Sequence, residues 1–279
     1  MSIYAEPRTV TKLADCLFYH SMDIPGYGSV DGAWDLRGTV DEYLGGIDLE
    51  GKKVLEIGKA SGFLTFHMEQ RGATVIAHDL SSQDDWDAVP YARRKEPTTT
   101  ADGEPDPCRD WQEWLKFRQW GIRVINNGFW LAHRAHASRA KVVTSSVYEL
   151  PRAIGPVDVT TFGAVLLHVR DPFLALQRAL CHTRERVVVT DLAPESGRGE
   201  TAHAQFIPDA SLCEPFDTWW RLSPELVQRM LAVLGFEDSR VSHAEHLHQG
   251  RGVPMFTVVA RRTVDMQSST HRVDWPAPD

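Results

Sequence analysis

The sequence is poor in several things. Four cysteines, Cys16, Cys108, Cys181 and Cys213, are scattered over 279 residues with no C-x-x-C pair. That spacing argues against a disulfide framework or a cysteine zinc site and fits reduced, mostly packed thiols. No apolar run approaches the ~20 residues that cross a bilayer. The opening stretch, MSIYAEPRTVTKLADC, carries an acid at Glu6 and no signal-like apolar core. A cytoplasmic protein without a membrane partner is expected. Positive charge is also scarce: 30 Lys and Arg stand against 38 Asp and Glu, for a net charge of −8. Nucleic-acid affinity comes largely from cations at phosphates, so this balance argues against a nucleic-acid partner. It suits a neutral or cationic small molecule. At 42% hydrophobic and 24% charged, the composition is that of an ordinary globular chain. No internal repeat is visible, and a monomer or homodimer is expected.

One further shortage is local. The stretch VLEIGKASGFLT (54–65) reads as a strand end, a glycine loop and a helix start. The dinucleotide fingerprint G-x-G-x-x-G needs three glycines. Here Gly58 fits, Ala60 stands in the second place and Phe63 in the third. Glu56, two residues before the first glycine, would repel a pyrophosphate but suit a cationic group. Asp79 follows Gly58 by 21 residues, at the end of the next apolar run. An acid there commonly accepts hydrogen bonds from ribose hydroxyls. A nucleoside bearing a positive charge and no phosphate, S-adenosyl-L-methionine, meets both demands. A tight turn at the glycines, or Glu56 serving a helix dipole, is the plainer alternative.

The rest of the chain alternates. Strands are expected at 52–58, 73–80, 140–150, 156–169 and 184–192. Helices are expected at 63–72, 110–122, 126–139, 171–182 and 223–235, and two closing strands follow. Asp171-Pro172 and Ser223-Pro224 are N-cap and N1 pairs, and Gly235 is a stop. This alternation predicts an α/β, Rossmann-like, doubly wound and mostly parallel sheet with an antiparallel edge strand. Around it are expected an N-terminal lid over 1–40, a core domain over 41–262 with an insert at 81–140, and a polar tail over 263–279. The stretch 81–110, with four prolines, is expected to act as a mobile lid.

VLEIGKASG, VIAHDL, SSVYELP and VTTFGAVLLHVRDP resemble the successive motifs of class I S-adenosylmethionine-dependent methyltransferases. The resemblance covers roughly residues 40–262. GAVLLHVRDPFLAL is similar to a branch containing the bacterial tRNA wobble-uridine carboxymethyltransferase and many natural-product methyltransferases. WDLRG and WWRLSPELVQRMLAVLGF are similar to the latter group. The resemblance implies that Glu56, Gly58, Ala60 and Gly62 line the methionine end of the cofactor. Asp79 would hold the ribose, and Ser146 and Val147 the adenine edge. His168 would face the transferred methyl.

The acceptor implied is a small amino- or hydroxyl-bearing metabolite, such as an antibiotic sugar or aminoglycoside. His168 is the first candidate base, with a packed histidine bonded to a backbone carbonyl as its alternative. Asp191 is the second catalytic candidate, or else a loop hydrogen-bond partner. Trp34, Arg37, His203, Trp219 and Trp220 are candidates for the acceptor pocket. His243, His246 and His248 lie close in sequence, but surface histidines on a closing hairpin are expected rather than a metal site. Two rivals remain: a tRNA-modifying transferase of the same fold and a non-catalytic nucleoside-binding protein. A nicotinamide dehydrogenase is opposed by Glu56, Ala60 and Phe63.

Overall fold

The computed structural model describes residues 2–83, 87–91, 111–194, 201–212 and 214–264, except for the side chains of Trp111 and Gln112. Most of the expected lid at 81–110, most of the tail, Cys108 and Cys213 lie outside the described residues. The elements in chain order begin with a hairpin of β1 (Met22–Ile24) and β2 (Gly28–Val30), then β3 (Trp34–Asp35) and a helical turn α1 (Val40–Tyr43). The core follows with β4 (Lys53–Ile57), α2 (Phe63–Gln70), β5 (Thr74–Asp79), α3 (Trp111–Ala135), β6 (Lys141–Thr144), β7 (Val157–Gly163), α4 (Pro172–Leu180) and β8 (Thr183–Leu192). A second hairpin, β9 (Ala204–Phe206) with β10 (Trp220–Leu222), precedes α5 (Pro224–Val233), β11 (Asp238–His248) and β12 (Arg251–Arg261).

Eight strands form one sheet in the order β3-β11-β12-β8-β7-β4-β5-β6. The pairs from β8 to β6 are parallel. Strand β12 inserts antiparallel between β8 and β11, and β3 closes that end antiparallel to β11. The expected doubly wound sheet is present, and its antiparallel part is three strands wide. Strand alternation sends Leu55 and Val54 to opposite faces. Leu55, Ile57, Phe162, Val187 and Val189 pack under α4 and α5. Val54, Val75, Ala77 and Val142 pack under α2, α3 and the N-terminal segment. Burial on both faces explains the near-continuous apolar runs. From β4 the chain winds one way to β5 and β6 and then the other way to β7 and β8. The crevice between β4 and β7 is therefore the switch point, where open α/β sheets take ligands.

Three expectations change. The two helices at 110–122 and 126–139 are one helix, α3, running through Gly121 and Asn126-Asn127-Gly128. Asn126, Asn127 and Gly128 are tertiary joints: the two asparagines bond to Lys59 and the Asp15 carbonyl, and a Cβ on Gly128 would lie 2.6 Å from the Leu17 carbonyl oxygen. The strands expected to reach 150 and 169 stop at Thr144 and Gly163, and 3-10 turns follow at Val147–Glu149 and Leu166–His168. Three short strands lie within residues 1–40. His246 is also not a surface histidine. It is buried, bonded through Nδ1 to Thr39 Oγ1 at 2.7 Å and edge-on to Tyr43. No described helix is long and apolar enough to cross a membrane.

Candidate functional site

The loop from Gly58 to Gly62 is clamped to the end of β5. Gly58 and Lys59 both donate their N–H to the His78 carbonyl, at 2.9 and 3.1 Å. Ala60 N–H donates to Asp79 Oδ2 at 2.8 Å, and Gly62 N–H to the Lys59 carbonyl at 2.8 Å. Gly58, Ala60 and Gly62 all take left-handed backbone, with φ of 82°, 46° and 94°. A Cβ on Gly58 would meet Val165 Cγ2 at 2.5 Å, and one on Gly62 would strike the rings of Phe66 and Phe129. Their smallness serves the protein's own packing as well as its backbone. Ala60 keeps the same hand of backbone at a steric cost.

Two acids flank this loop. Glu56 is buried, and its Oε2 accepts from Thr65 Oγ1 while Oε1 has no hydrogen-bond partner. Burial raises its pKa to about 8, against the pull of Thr65 and the nearby Lys59 charge. Asp79 accepts N–H bonds from Ala60 on Oδ2 and from Leu80 on Oδ1, both at 2.8 Å. A carboxylate has about four acceptor positions, so each oxygen keeps one free.

Behind Asp79 lies a cation the sequence did not signal. The Lys59 ammonium is buried 4.0 Å from Asp79 Oδ2, bonded to Asn126 Oδ1 at 2.6 Å and 4.7 Å above the Phe129 ring. Asn126 also donates to the Leu80 carbonyl, so α3, the loop and β5 meet here. On the far rim, Ser146 caps the turn after β6 by accepting from Tyr148 N–H, and Val147 is buried.

The carboxyl ends of β7 and β8 carry the other half. His168 ends the turn after β7, and its Nδ1 bonds to the Asp217 carbonyl. A carbonyl only accepts, so in the neutral ring Nδ1 holds the proton and Nε2 the lone pair. Asp217 pairs with Arg118 of α3; its carboxyl lies below the usual range because Arg118 and His168 outweigh its burial.

Asp191, near the end of β8, is buried with Oδ1 on Leu192 N–H at 2.7 Å and Oδ2 without a hydrogen-bond partner. Burial raises its pKa to about 7 against the help of the Leu192 and Leu167 N–H groups. Tyr43 was not anticipated either. A Cβ on Gly163, at the end of β7, would lie 3.0 Å from its hydroxyl. Its pKa is raised well above the phenol range by burial, then by the charges of Tyr19, Asp191 and Glu56. Tyr19 is held over the loop by its N–H on Ser61 Oγ at 3.0 Å. No sequence motif links Tyr19 and Tyr43 to Glu56 and Asp191; the sheet edge does.

The remaining acceptor candidates are dispersed. Trp34 is buried against His248 with centroids 4.7 Å apart, and its backbone N–H donates to the Tyr19 carbonyl at 3.0 Å. Arg37 lies outside on the same edge, bonded to Asp35 at 2.6 and 2.9 Å and to Ser29 at 3.0 Å. The Trp219 indole donates to the Asp87 carbonyl and Trp220 to the Arg170 carbonyl, so both polar ends hold scaffold. His203 lines a separate cavity of about 580 Å3 with Pro194, Glu225 and His243. Among the described residues no group of three His, Cys, Asp or Glu could hold a metal ion.

No family description matches the sequence, and no curated protein sequence does. Solved structures do match in shape. Magnesium protoporphyrin IX methyltransferase from Synechocystis PCC 6803, with bound S-adenosylhomocysteine, has a TM-score of 0.50 at 14% identity, over 81% of this chain and 82% of that one. The Burkholderia thailandensis 1,6-didemethyltoxoflavin-N1-methyltransferase scores 0.44 at 16% identity, over 80% and 75%. The N-terminal domain of EvdMO1, in the presence of S-adenosylhomocysteine and D-fucose, scores 0.46 at 14% identity, over 90% and 92%. At such identities the likeness is one of fold, and the first of the three carries it: the chain has the Rossmann-like fold found in a methyltransferase crystallised with S-adenosylhomocysteine.

Proposed function

We infer that the chain is an S-adenosyl-L-methionine-dependent methyltransferase acting on an amino or hydroxyl group of a small metabolite. The carrying observation is the pair of acids at the switch point. Glu56 has an unpartnered oxygen, and Asp79 has one free acceptor position on each oxygen. Glu56, protonated at neutral pH in the free chain, fits an ammonium group whose charge favours its ionised form, and Asp79 fits ribose hydroxyls. Neither fits a pyrophosphate. The cofactor supplies a methyl group activated by its sulfonium.

The protein's own part is alignment and proton management. A hydroxyl acceptor loses its proton as the new carbon–oxygen bond forms; His168 Nε2 is the base we assign. An amine needs only to arrive unprotonated. Asp191 and the Tyr43 hydroxyl border the same sheet edge and orient the acceptor. The finer reading, an antibiotic sugar or aminoglycoside, rests on the resemblance of WDLRG and WWRLSPELVQRMLAVLGF to natural-product methyltransferases.

Calorimetry with S-adenosylmethionine, S-adenosylhomocysteine and NAD tests the cofactor. Micromolar binding of the first two and far weaker NAD binding is expected. Preferential NAD binding overturns the assignment. Binding without methyl transfer to any amino sugar or aminoglycoside offered removes the finer reading only.

A further inference from the structure

Away from the switch point, a groove of about 560 Å3 runs between the N-terminal segment and the outer face of α3. Arg8 and Lys12 line it from the segment, and Trp120, Arg123 and Asn127 from the helix; Asp15 is its one carboxylate. Helical spacing sets Trp120, Arg123 and Asn127 on one face. The walls are fixed to each other. Leu17 N–H donates to the Val124 carbonyl at 3.0 Å, and Asn127 Nδ2 to the Asp15 carbonyl at 2.9 Å.

Three cations gathered in one groove run against a chain of net charge −8. None of the three side chains makes a hydrogen bond or ion pair among the described residues. Between them Trp120 is 46% exposed, its ring stacked on Phe117 with centroids 5.8 Å apart and planes at 28°. An exposed, steadied indole is a stacking platform for a planar ring. Arginine forks match phosphate oxygens in pairs, and the three cations less the Asp15 carboxylate leave two positive charges to offset a diphosphate. The volume is that of a small-molecule pocket, commonly ~300–1,000 Å3. Three cations on an acidic protein are few for a polyanion.

We propose that this groove binds a small ligand joining a planar ring to a phosphate-class anion, a nucleoside diphosphate in kind. The ring lies on Trp120 and the phosphates lie among Arg8, Lys12 and Arg123. The site lies outside the crevice between β4 and β7.

Calorimetry of the full chain at about 0.1 M salt, where exposed charges beyond ~10 Å are screened, tests it with uridine 5′-diphosphate, uridine and inorganic pyrophosphate. The diphosphate should bind about tenfold or more tighter than either fragment. Trp120→Ala and Arg123→Glu should each weaken it about tenfold, with S-adenosylhomocysteine affinity unchanged and circular dichroism unaltered. Saturating S-adenosylhomocysteine should not displace it. The proposal is overturned if no binding is seen, if pyrophosphate binds as well as the diphosphate, or if S-adenosylhomocysteine competes. It is equally overturned if a single-stranded oligonucleotide binds more tightly through the same residues, which would make the groove a nucleic-acid site.

Discussion

At the scale of the residue, Glu56 puts its environment into a measurable pH dependence. Burial holds its pKa at about 8, whereas an ordinary glutamate titrates near 4.5. Between those values the folded chain keeps a proton that the unfolded chain has lost. Stability therefore falls as pH rises through this window and levels off above it. Glu56→Gln removes that slope. The variant should match wild type at pH 4 and exceed it by ~1–3 kcal/mol at pH 9, a discounted fraction of the ~1.4 kcal/mol per pH unit of the shift. Urea unfolding at both pH values decides this; a difference independent of pH would sink it. Asp191, raised to about 7, adds its own slope in both proteins, so the comparison must be between variant and wild type. Ala60 gives a second prediction. Its left-handed backbone, φ 46°, costs an L residue ~1–2 kcal/mol that glycine avoids, offset in part by glycine's greater unfolded freedom. Ala60→Gly should stabilise by ~0.5–1 kcal/mol, read as a raised urea midpoint.

At the scale of the element, α3 contains its own control. Gly121 and Gly128 lie in the same helix, and a Cβ on Gly121 meets nothing within 4 Å. Gly121→Ala should stabilise by ~0.5–1 kcal/mol through helix propensity alone. At Gly128 the new Cβ would lie 2.6 Å from the Leu17 carbonyl oxygen, which is backbone and cannot swing aside. Gly128→Ala should lose ~1–2 kcal/mol despite the same propensity gain. Amide exchange at Leu17 and Tyr19 should quicken as the N-terminal segment loosens. Equal effects at the two glycines would show that the crossing is soft. This helix also marks where the sequence stops being legible. Helices α4 and α5 could be read because their signals are local: Asp171 accepts from Leu174 N–H at 2.9 Å and Ser223 from Leu226 N–H at 3.2 Å. In α3 the apparent breakers Asn126, Asn127 and Gly128 answer to Lys59, Asp15 and Leu17, partners far away in sequence. A local reading sees only the cost of such residues and not what they hold.

At the scale of the whole molecule, the sheet and its switch point were legible because strand ends carried Glu56, Asp79 and Asp191 in apolar runs. Lys59, Tyr19 and Tyr43 were not, since each matters through a neighbour brought by the fold. Asp79 joins the two kinds of information, because the ribose role proposed for it comes from its place in the sequence and its hold on the frame comes from the fold. Its carboxylate holds the loop through Ala60, takes Leu80 N–H and lies 4.0 Å from the buried Lys59 ammonium. Asp79→Ala should therefore do two separable things. Removing the anion leaves a buried ammonium with less compensation, at ~1–2 kcal/mol, less than a fully buried pair would lose because Asp79 is partly open to solvent. Removing the acceptor leaves ribose hydroxyls unpaired, at ~1–3 kcal/mol of cofactor affinity. Lys59→Met in the Asp79→Ala background takes away the stranded charge and keeps the bulk against Phe129. The double variant should recover more than half of the lost stability while its affinity for S-adenosylhomocysteine stays low. Urea unfolding and calorimetry on the same preparations separate the two. If affinity returns together with stability, Asp79 serves the fold alone and the ribose assignment fails.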